Sequence, residues 1–263
     1  MLRFIPFVPK PPLIAVVRLT GMISSGRGLS DQSVAPLIER AFSRGRPLAV
    51  ALVINSPGGS PVQSSLIAAR VRRLAAEKKL PVHAFVEDVA ASGGYWLACA
   101  ADHIWVDDSS ILGSIGVISA SFGFDQWMSR QGVERRVITA GANKSFGDPF
   151  LPQKPEDVER IKALQAPIHR AFIDHVTVRR GGRLQQGVDL FNADVFVGAR
   201  AVQVGLADGI GHLVPKMKEL YGEKLRFAVS APRRGLLGRF GFGLASEMLG
   251  AMEERIAFDR YGV

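Results

Sequence analysis

Residues 48–79 read LAVALVINSPGGSPVQSSLIAARVRRLAAEKK and contain an apolar run, a glycine-rich turn and a second, periodic segment. The apolar run at 48–55 is typical of a strand buried inside a parallel sheet. Proline and glycine at 57–59 end that run. Apolar residues then recur at roughly helical spacing as far as Lys79. This stretch therefore predicts a strand, a tight turn and a helix in succession.

The same alternation continues on both sides of this unit. Strands are expected at 13–19, 82–86, 103–106 and 133–139, and helices at 92–101, 124–131 and 155–180. Alternating strands and helices favour an α/β fold, in which helices flank a largely parallel sheet.

The composition is that of an ordinary globular protein. The chain has 263 residues, of which 47% are hydrophobic, and a formal net charge of +9. Its single cysteine, Cys99, excludes an intrachain disulfide. The longest weakly polar run, 89–101, falls short of the ~18–20 residues that span a bilayer. Four prolines between 6 and 12 interrupt the apolar start before a signal-peptide core forms. These features favour a location on the cytoplasmic side.

Ser92 lies in the segment AASGGYW, 90–96, between a predicted strand and an apolar helix. A helix N-terminus offers unpaired N–H groups and a partial positive charge, which stabilise an oxyanion beside a nucleophile. A serine there is more often only a helix cap, and the local pattern alone favours that reading. The glycine turn at 55–60 is likewise ambiguous, because glycine and proline occur in most α/β loops.

Four segments in order resemble the signal peptide peptidase A family: INSPGGS at 54–60, ASGGY at 91–95, LGSIGV at 112–117 and KSFGDPF at 144–150. Weaker agreement continues through 193–211, so the resemblance covers roughly 13–214. It implies a crotonase/Clp-protease-like α/β core of repeated β-β-α units, with flanking helices and a C-terminal helical tail. We expect a catalytic domain at 1–215 and a basic, amphipathic tail at 216–263.

The resemblance also implies a Ser/Lys peptidase site. Ser92 matches the nucleophile and Lys144 the general base. Gly59 and Gly93 match the oxyanion-hole donors, and Ser114 the hydroxyl that orients the lysine. No metal or organic cofactor is expected. Lysine acts as a base only when burial lowers its pKa from about 10.4 toward neutrality. On composition alone Lys144 would be an exposed loop residue.

The sequence also contains residues that other kinds of site would use. A Ser/His/Asp triad is disfavoured because no histidine lies in a glycine elbow. Cys99 is expected to be a small buried side chain. An acyl-CoA thioester enzyme of the crotonase type would use the same backbone amides without Lys144, and an inert scaffold would need no dyad at all. The arginine clusters are interpreted as solvated helix faces, so no specific nucleic acid is expected.

The expected partners are peptide substrates and further copies of the chain. In bacterial relatives of single-domain size the site is completed across subunits, so the resemblance allows Lys144 to serve the Ser92 of a neighbour. Because the sequence shows no signal peptide or transmembrane helix, we expect the protein in the bacterial cytoplasm or at the periphery of the cytoplasmic membrane. The tail is expected to form a helix with one apolar face, made of Leu237, Phe240, Leu244, Met248, Met252 and Ile256. Arg233, Arg234 and Arg239 lie near the start of this segment. Docking on protein is favoured over membrane contact for this face.

Overall fold

The computed structural model describes residues 11–26, 28–230, 252 and 255–263. Its strands are β1 (Leu13–Thr20), β2 (Ala49–Ser56), β3 (Val82–Ala91), β4 (His103–Val106), β5 (Ile111–Gly113), β6 (Val195–Val197), β7 (Gly209–Ile210) and β8 (Arg226–Ser230). Its helices are α1 (Asp31–Ser43), α2 (Pro61–Lys78), α3 (Gly93–Ala98), α4 (Asp125–Arg130), α5 (Pro155–Arg180), α6 (Gly198–Gln203) and α7 (Leu213–Tyr221).

The strands form one sheet in the order β6-β5-β3-β2-β1-β8, with β4 paired to β3 and β7 paired to β4. Every pairing is parallel except that of β5 with β6. Successive residues of β1 and β2 are buried, as expected for parallel strands covered on both faces. On one face Met217 of α7 packs against a cluster that includes Val16, Ala51 and Phe85. Helices α1, α2 and α3 pack side by side.

The α/β class with a parallel sheet is confirmed, and α2 and α5 match the predicted helices closely. One predicted element is wrong: residues 133–139 form no strand. The continuing order of helix and strand predicted it, but Val133, Val137 and Ile138 are all exposed. A strand needs a neighbour for its backbone N–H and C=O groups, and the sheet pairings include none for this segment.

The chain divides into two compact units. The first comprises the chain up to Ile115 and from Ile173 onward, and the second comprises Gly116–Phe172. The first contains the whole sheet. A boundary between a catalytic domain and a tail at 215 stays a prediction. The sheet itself continues past it, because β8 pairs with β1 and Met217 lies in the core.

The predicted apolar face of the tail lies mostly outside the described residues. Of its members, Met252 and Ile256 are described, and both are helical and exposed. The three arginines before it are likewise outside the described part of the chain. Among the helices that the structure describes, none has the length and apolar character needed to cross a bilayer.

The second unit has little core of its own. Helix α4 buries none of its side chains, and Phe122, Trp127 and Ile138 are 80%, 61% and 101% exposed. Its internal contacts include an ion pair of 3.1 Å between Arg135 and Asp148. The Arg135 guanidinium also lies 5.5 Å from the centre of the Phe150 ring. A cleft of about 660 Å³ runs between α4 and residues 150–152.

Candidate active site

The site is built at the carboxyl ends of three neighbouring parallel strands. Strands β2, β3 and β5 end at Ser56, Ala91 and Gly113. Ala91 pairs with Gly113, and Ala90 pairs with Ser56 after a register shift in β2. Because the strands run in the same direction, the turns that follow them lie at one edge of the sheet. Ligands of open α/β sheets bind at such edges.

Ser92 occupies the sharp turn between β3 and α3. Its backbone has φ 51° and ψ −121°, which is strained for a residue with a Cβ. The Ser92 N–H donates to the Gly113 carbonyl at 2.8 Å, and its own carbonyl accepts from the Trp96 N–H at 3.0 Å. The side chain makes no capping hydrogen bond. The structure therefore does not support the interpretation of Ser92 as a helix cap, and it presents a strained, half-buried hydroxyl instead.

The glycine turn after β2 packs directly against this serine. A Cβ on Gly58 would lie 2.8 Å from both the Ala91 oxygen and the Ser92 Cβ. Gly59 has φ 136°, and a Cβ there would lie 2.1 Å from the Ile23 oxygen. Only glycine allows the two turns to approach this closely. The glycines predicted from the INSPGGS motif are thus required by packing around Ser92.

The two expected oxyanion donors are neighbours. A Cβ built on Gly93 would lie only 3.4 Å from the Gly59 nitrogen. Gly93 is the first residue of α3, where an N–H has no partner inside the helix. Within the described residues, neither N–H group has an intramolecular acceptor. Two free amides beside a serine hydroxyl are the elements of an oxyanion hole.

Ser114 follows β5 just as Ser92 follows β3. It is buried, its φ is also 51°, and its N–H donates to the Asp194 carbonyl at 2.7 Å. The Tyr261 hydroxyl donates to Ser114 Oγ at 3.4 Å. The structure therefore brings Ser92, Gly93, Gly59 and Ser114 to one edge of the sheet. The contact with Tyr261 was not expected, because a lone tyrosine near the end of the chain carries no motif.

Lys144 belongs to the second compact unit. It lies in a segment of turns at 141–147, where its N–H donates to the Gly141 carbonyl at 3.2 Å. Its side chain is exposed. The general-base role implied by the resemblance stays a prediction.

Two of the five histidines form hydrogen bonds away from the candidate site. Trp105 Nε1 donates to His83 Nδ1 at 3.3 Å, which leaves Nε2–H of His83 to donate to the Tyr221 hydroxyl at 2.9 Å. His175 donates from Nε2 to the Trp96 carbonyl at 3.1 Å. Burial lowers the pKa of each to about 4, and for His83 the neighbouring His103 adds to the effect. These two histidines are structural residues that stay neutral at pH 7.

Cys99 is fully buried, as predicted. Burial raises the pKa of its thiol to about 12, so the thiolate that a cysteine nucleophile requires does not form near neutral pH.

One sequence interpretation needs correction: in the two arginine clusters that the structure describes, at 70–79 and 179–183, the arginines do not all lie on solvated faces. Arg180 is almost completely buried and binds both oxygens of Asp208, at 2.8 and 3.1 Å. Its Nε donates to the Gly205 carbonyl at 2.8 Å. The Tyr95 hydroxyl donates to the Leu206 carbonyl in the same segment, at 2.9 Å. The segment at 205–208 thus holds α3 and the end of α5 together.

Comparisons with known proteins show the family to which the chain belongs. The profile of Peptidase family S49 matches residues 74–224, more than half of the chain. Protease 4 of Haemophilus influenzae is 31% identical over 83% of this chain and 36% of its own length. The Na(+)/H(+) antiporter NhaA of Brucella melitensis is 48% identical over 95% of this chain and 37% of its own length. The chain therefore spans little more than a third of either relative.

The fold is shared with a solved protease. A mutant of the 1510-N membrane-bound stomatin-specific protease, in complex with a substrate peptide, superimposes with a TM-score of 0.51. The alignment covers 85% of this chain and 94% of the other at 14% identity. The sheet edge with its strained serine and two free amides defines a serine-hydrolase type of site. With the profile match, the chain belongs to peptidase family S49, the signal peptide peptidase A family of serine peptidases.

Proposed function

We propose that this chain is a serine endopeptidase with a Ser92–Lys144 dyad, which hydrolyses apolar peptides such as cleaved signal peptides or membrane-protein fragments. The observation that carries the proposal is the turn at Ser92. A serine in a strained backbone conformation, without a capping bond, lies beside the two unpaired amides of Gly59 and Gly93. Strain of this kind persists where the surrounding structure enforces it, typically at active sites.

In the proposed mechanism Ser92 Oγ attacks the carbonyl carbon of the scissile peptide bond, and its proton passes to the neutral amine of Lys144. The oxyanion accepts hydrogen bonds from the N–H groups of Gly59 and Gly93. Lys144 then returns the proton to the leaving amine as the C–N bond breaks. A water molecule, deprotonated in the same way, hydrolyses the acyl-enzyme and frees Ser92.

We propose further that a neighbouring copy of the chain supplies Lys144. A lysine becomes neutral enough to act as a base when its side chain is buried away from water. In a single chain the side chain of Lys144 is exposed. The unit that carries it also exposes Phe122, Trp127 and Ile138, which a second copy would cover. To test this, inactive Ser92→Ala and Lys144→Ala chains are unfolded together and refolded into shared oligomers. Activity should return, and mixed oligomers that stay wholly inactive would exclude the shared site.

The dyad itself is tested with purified variants and a soluble apolar peptide. Ser92→Ala and Lys144→Ala should each lower kcat/KM at least about 10³-fold, because nucleophile and base act as one unit. Lys154→Ala is the matched control, since Lys154 is an exposed lysine of the same unit. Substantial hydrolysis by Ser92→Ala would refute the proposal. Hydrolysis of acyl-CoA thioesters that survives Lys144→Ala would instead favour a crotonase-type enzyme.

Peripheral membrane contact is a separate proposal. It is supported by the similarity to proteins named as an antiporter and as a membrane-bound protease, and by Arg233, Arg234 and Arg239 in the sequence of the tail. Basic residues beside an apolar helical face bind anionic lipid surfaces. Replacing the three arginines with glutamate should release the protein from acidic liposomes without changing hydrolysis of a soluble peptide. Unchanged liposome binding would favour docking on protein.

A further inference from the structure

The carbonyl groups at the C-terminal end of α3 and just after it are bound by side chains from two other helices. Arg179 of α5 donates from Nε to the Cys99 carbonyl and from Nη2 to the Ala101 carbonyl, both at 2.9 Å. Arg72 of α2 donates to the Ala100 carbonyl at 3.1 Å. His175 donates to the Trp96 carbonyl. This end of α3 is therefore fixed by two guanidinium groups and one imidazole.

Asp102 joins the two arginines. Its Oδ1 lies 2.8 Å from Arg72 Nη1 and 3.2 Å from Arg179 Nη2, and its Oδ2 accepts from the Val82 N–H at 2.9 Å. Burial works against its charge, but the Val82 N–H and Arg72 outweigh burial and hold the pKa of Asp102 below its ordinary value. Val82 begins β3, the strand that leads to Ser92. The same cluster thus ties the start of β3 to the end of α3.

A helix of six residues has few internal hydrogen bonds with which to hold its own direction. It is about 9 Å long, so a tilt of about 10° about one end moves the other end by about 1.5 Å. The moving end here would be Gly93, whose N–H lies beside Gly59. A displacement of about 1 Å in a reacting geometry costs about 100-fold in rate. The guanidinium groups of Arg72 and Arg179 also complement the partial negative charge at the C-terminal end of α3.

We propose that Arg179 is a positioning residue for the oxyanion hole. Through the carbonyls of Cys99 and Ala101 it fixes the axis of α3, and so keeps the Gly93 N–H directed at the same point as the Gly59 N–H. Arg179 is singled out because it binds two of these carbonyls as well as Asp102. The inference rests on the proposed peptidase function.

The test measures Arg179→Ala against Arg73→Ala, whose arginine is exposed and pairs with Glu77 one turn along α2. A peptide boronic acid serves as the probe, because its tetrahedral adduct with Ser92 places an oxygen in the oxyanion hole. We expect Arg179→Ala to lower kcat about 30- to 100-fold and to weaken boronic acid binding by a similar factor, with KM changed less than about twofold. Added guanidinium should restore part of the rate. Arg73→Ala should match the wild type.

A purely structural role would lower the melting temperature of Arg179→Ala but leave kcat and boronic acid affinity of the folded protein within about twofold, and that result overturns the proposal. If Arg179→Ala does not fold, Arg179→Lys carries the test. Lysine keeps the charge and loses the two-carbonyl contact, so it should show a smaller loss of the same kind, and wild-type values would again overturn the proposal. An inactive wild type, or an active Ser92→Ala, would instead contradict the peptidase function itself.

Discussion

The two compact units differ in how much of their apolar side-chain surface is buried. The first buries most of them on both faces of the sheet and packs the turns at Ser92, Gly59 and Gly93 closely together. The second leaves aromatic and aliphatic side chains exposed and carries Lys144 on a segment of turns. The proposed nucleophile and oxyanion-hole amides therefore lie in the well-packed unit, and the proposed base lies in the unit with the more exposed apolar surface.

Outside the proposed dyad, the largest effect should come from Gly59, whose turn packs tightly against the backbone of Ile23. Gly59→Ala places a Cβ 2.1 Å from the Ile23 oxygen at a φ of 136°, so the turn must move. We expect peptide hydrolysis to fall at least about 100-fold, since the amide that stabilises the oxyanion moves with it. Gly182→Ala is the control, because a Cβ there meets nothing within 4 Å. Wild-type kcat/KM in Gly59→Ala would mean that the turn plays no part in catalysis.

A charged substitution tests whether the second unit is an interface. Trp127→Glu should shift the protein to smaller species in sedimentation velocity and lower activity about tenfold or more, because burying an unpaired charge at an interface is costly. Val178→Glu in the first unit is the matched control, since Val178 is 80% exposed. Equal assembly of both variants with the wild type would show that the apolar surface around Trp127 is not covered by another copy.

The first unit should lose stability in mildly acidic solution. His83 and His175 have pKa values of about 4 because they are buried. The unfolded chain protonates them near 6.5, so as pH falls from about 6.5 toward 4 the unfolded state binds more protons and stability is lost. Each should contribute on the order of 2 kcal/mol across this range.

Urea unfolding at pH 7 and pH 5 measures this dependence. Over that interval the carboxylates Asp102 and Asp208, whose pKa values lie below 3.8, stay ionised and do not contribute. His175→Gln should therefore show a smaller loss of stability between the two pH values than the wild type. An identical loss in both proteins would contradict the burial argument for His175.

The smallest effect is expected at the tyrosine near the end of the chain. Tyr261→Phe removes a single hydrogen bond of 3.4 Å to Ser114 Oγ. Because that bond is long, we expect kcat/KM to change less than about threefold. A change above tenfold would mean that Tyr261 takes part in arranging the site.

Sequence patterns predicted β1 to β4 and the turns around Ser92, because buried strands are continuously apolar and the close turns demand glycine. The short strands β5 to β7 and the strand β8 were not predicted. The predicted strand at 133–139 is wrong because the order of helices and strands along the chain does not reveal whether a neighbouring strand exists for this segment. The arginines were misjudged for a similar reason. Whether Arg179 or Arg180 is solvated depends on carbonyls and carboxylates distant in sequence, such as Ala101 and Asp208.

The central claim is that Ser92 is the nucleophile and that its activation requires Lys144. Incubation with a fluorophosphonate, followed by proteolysis and mass spectrometry, identifies the modified residue and gives the rate of modification. In the wild type we expect a single adduct, on Ser92. In Lys144→Ala the rate of Ser92 modification should be at least about 100-fold lower, whereas in Lys154→Ala it should equal that of the wild type. An adduct on another residue, or equal rates of Ser92 modification with and without Lys144, would contradict it.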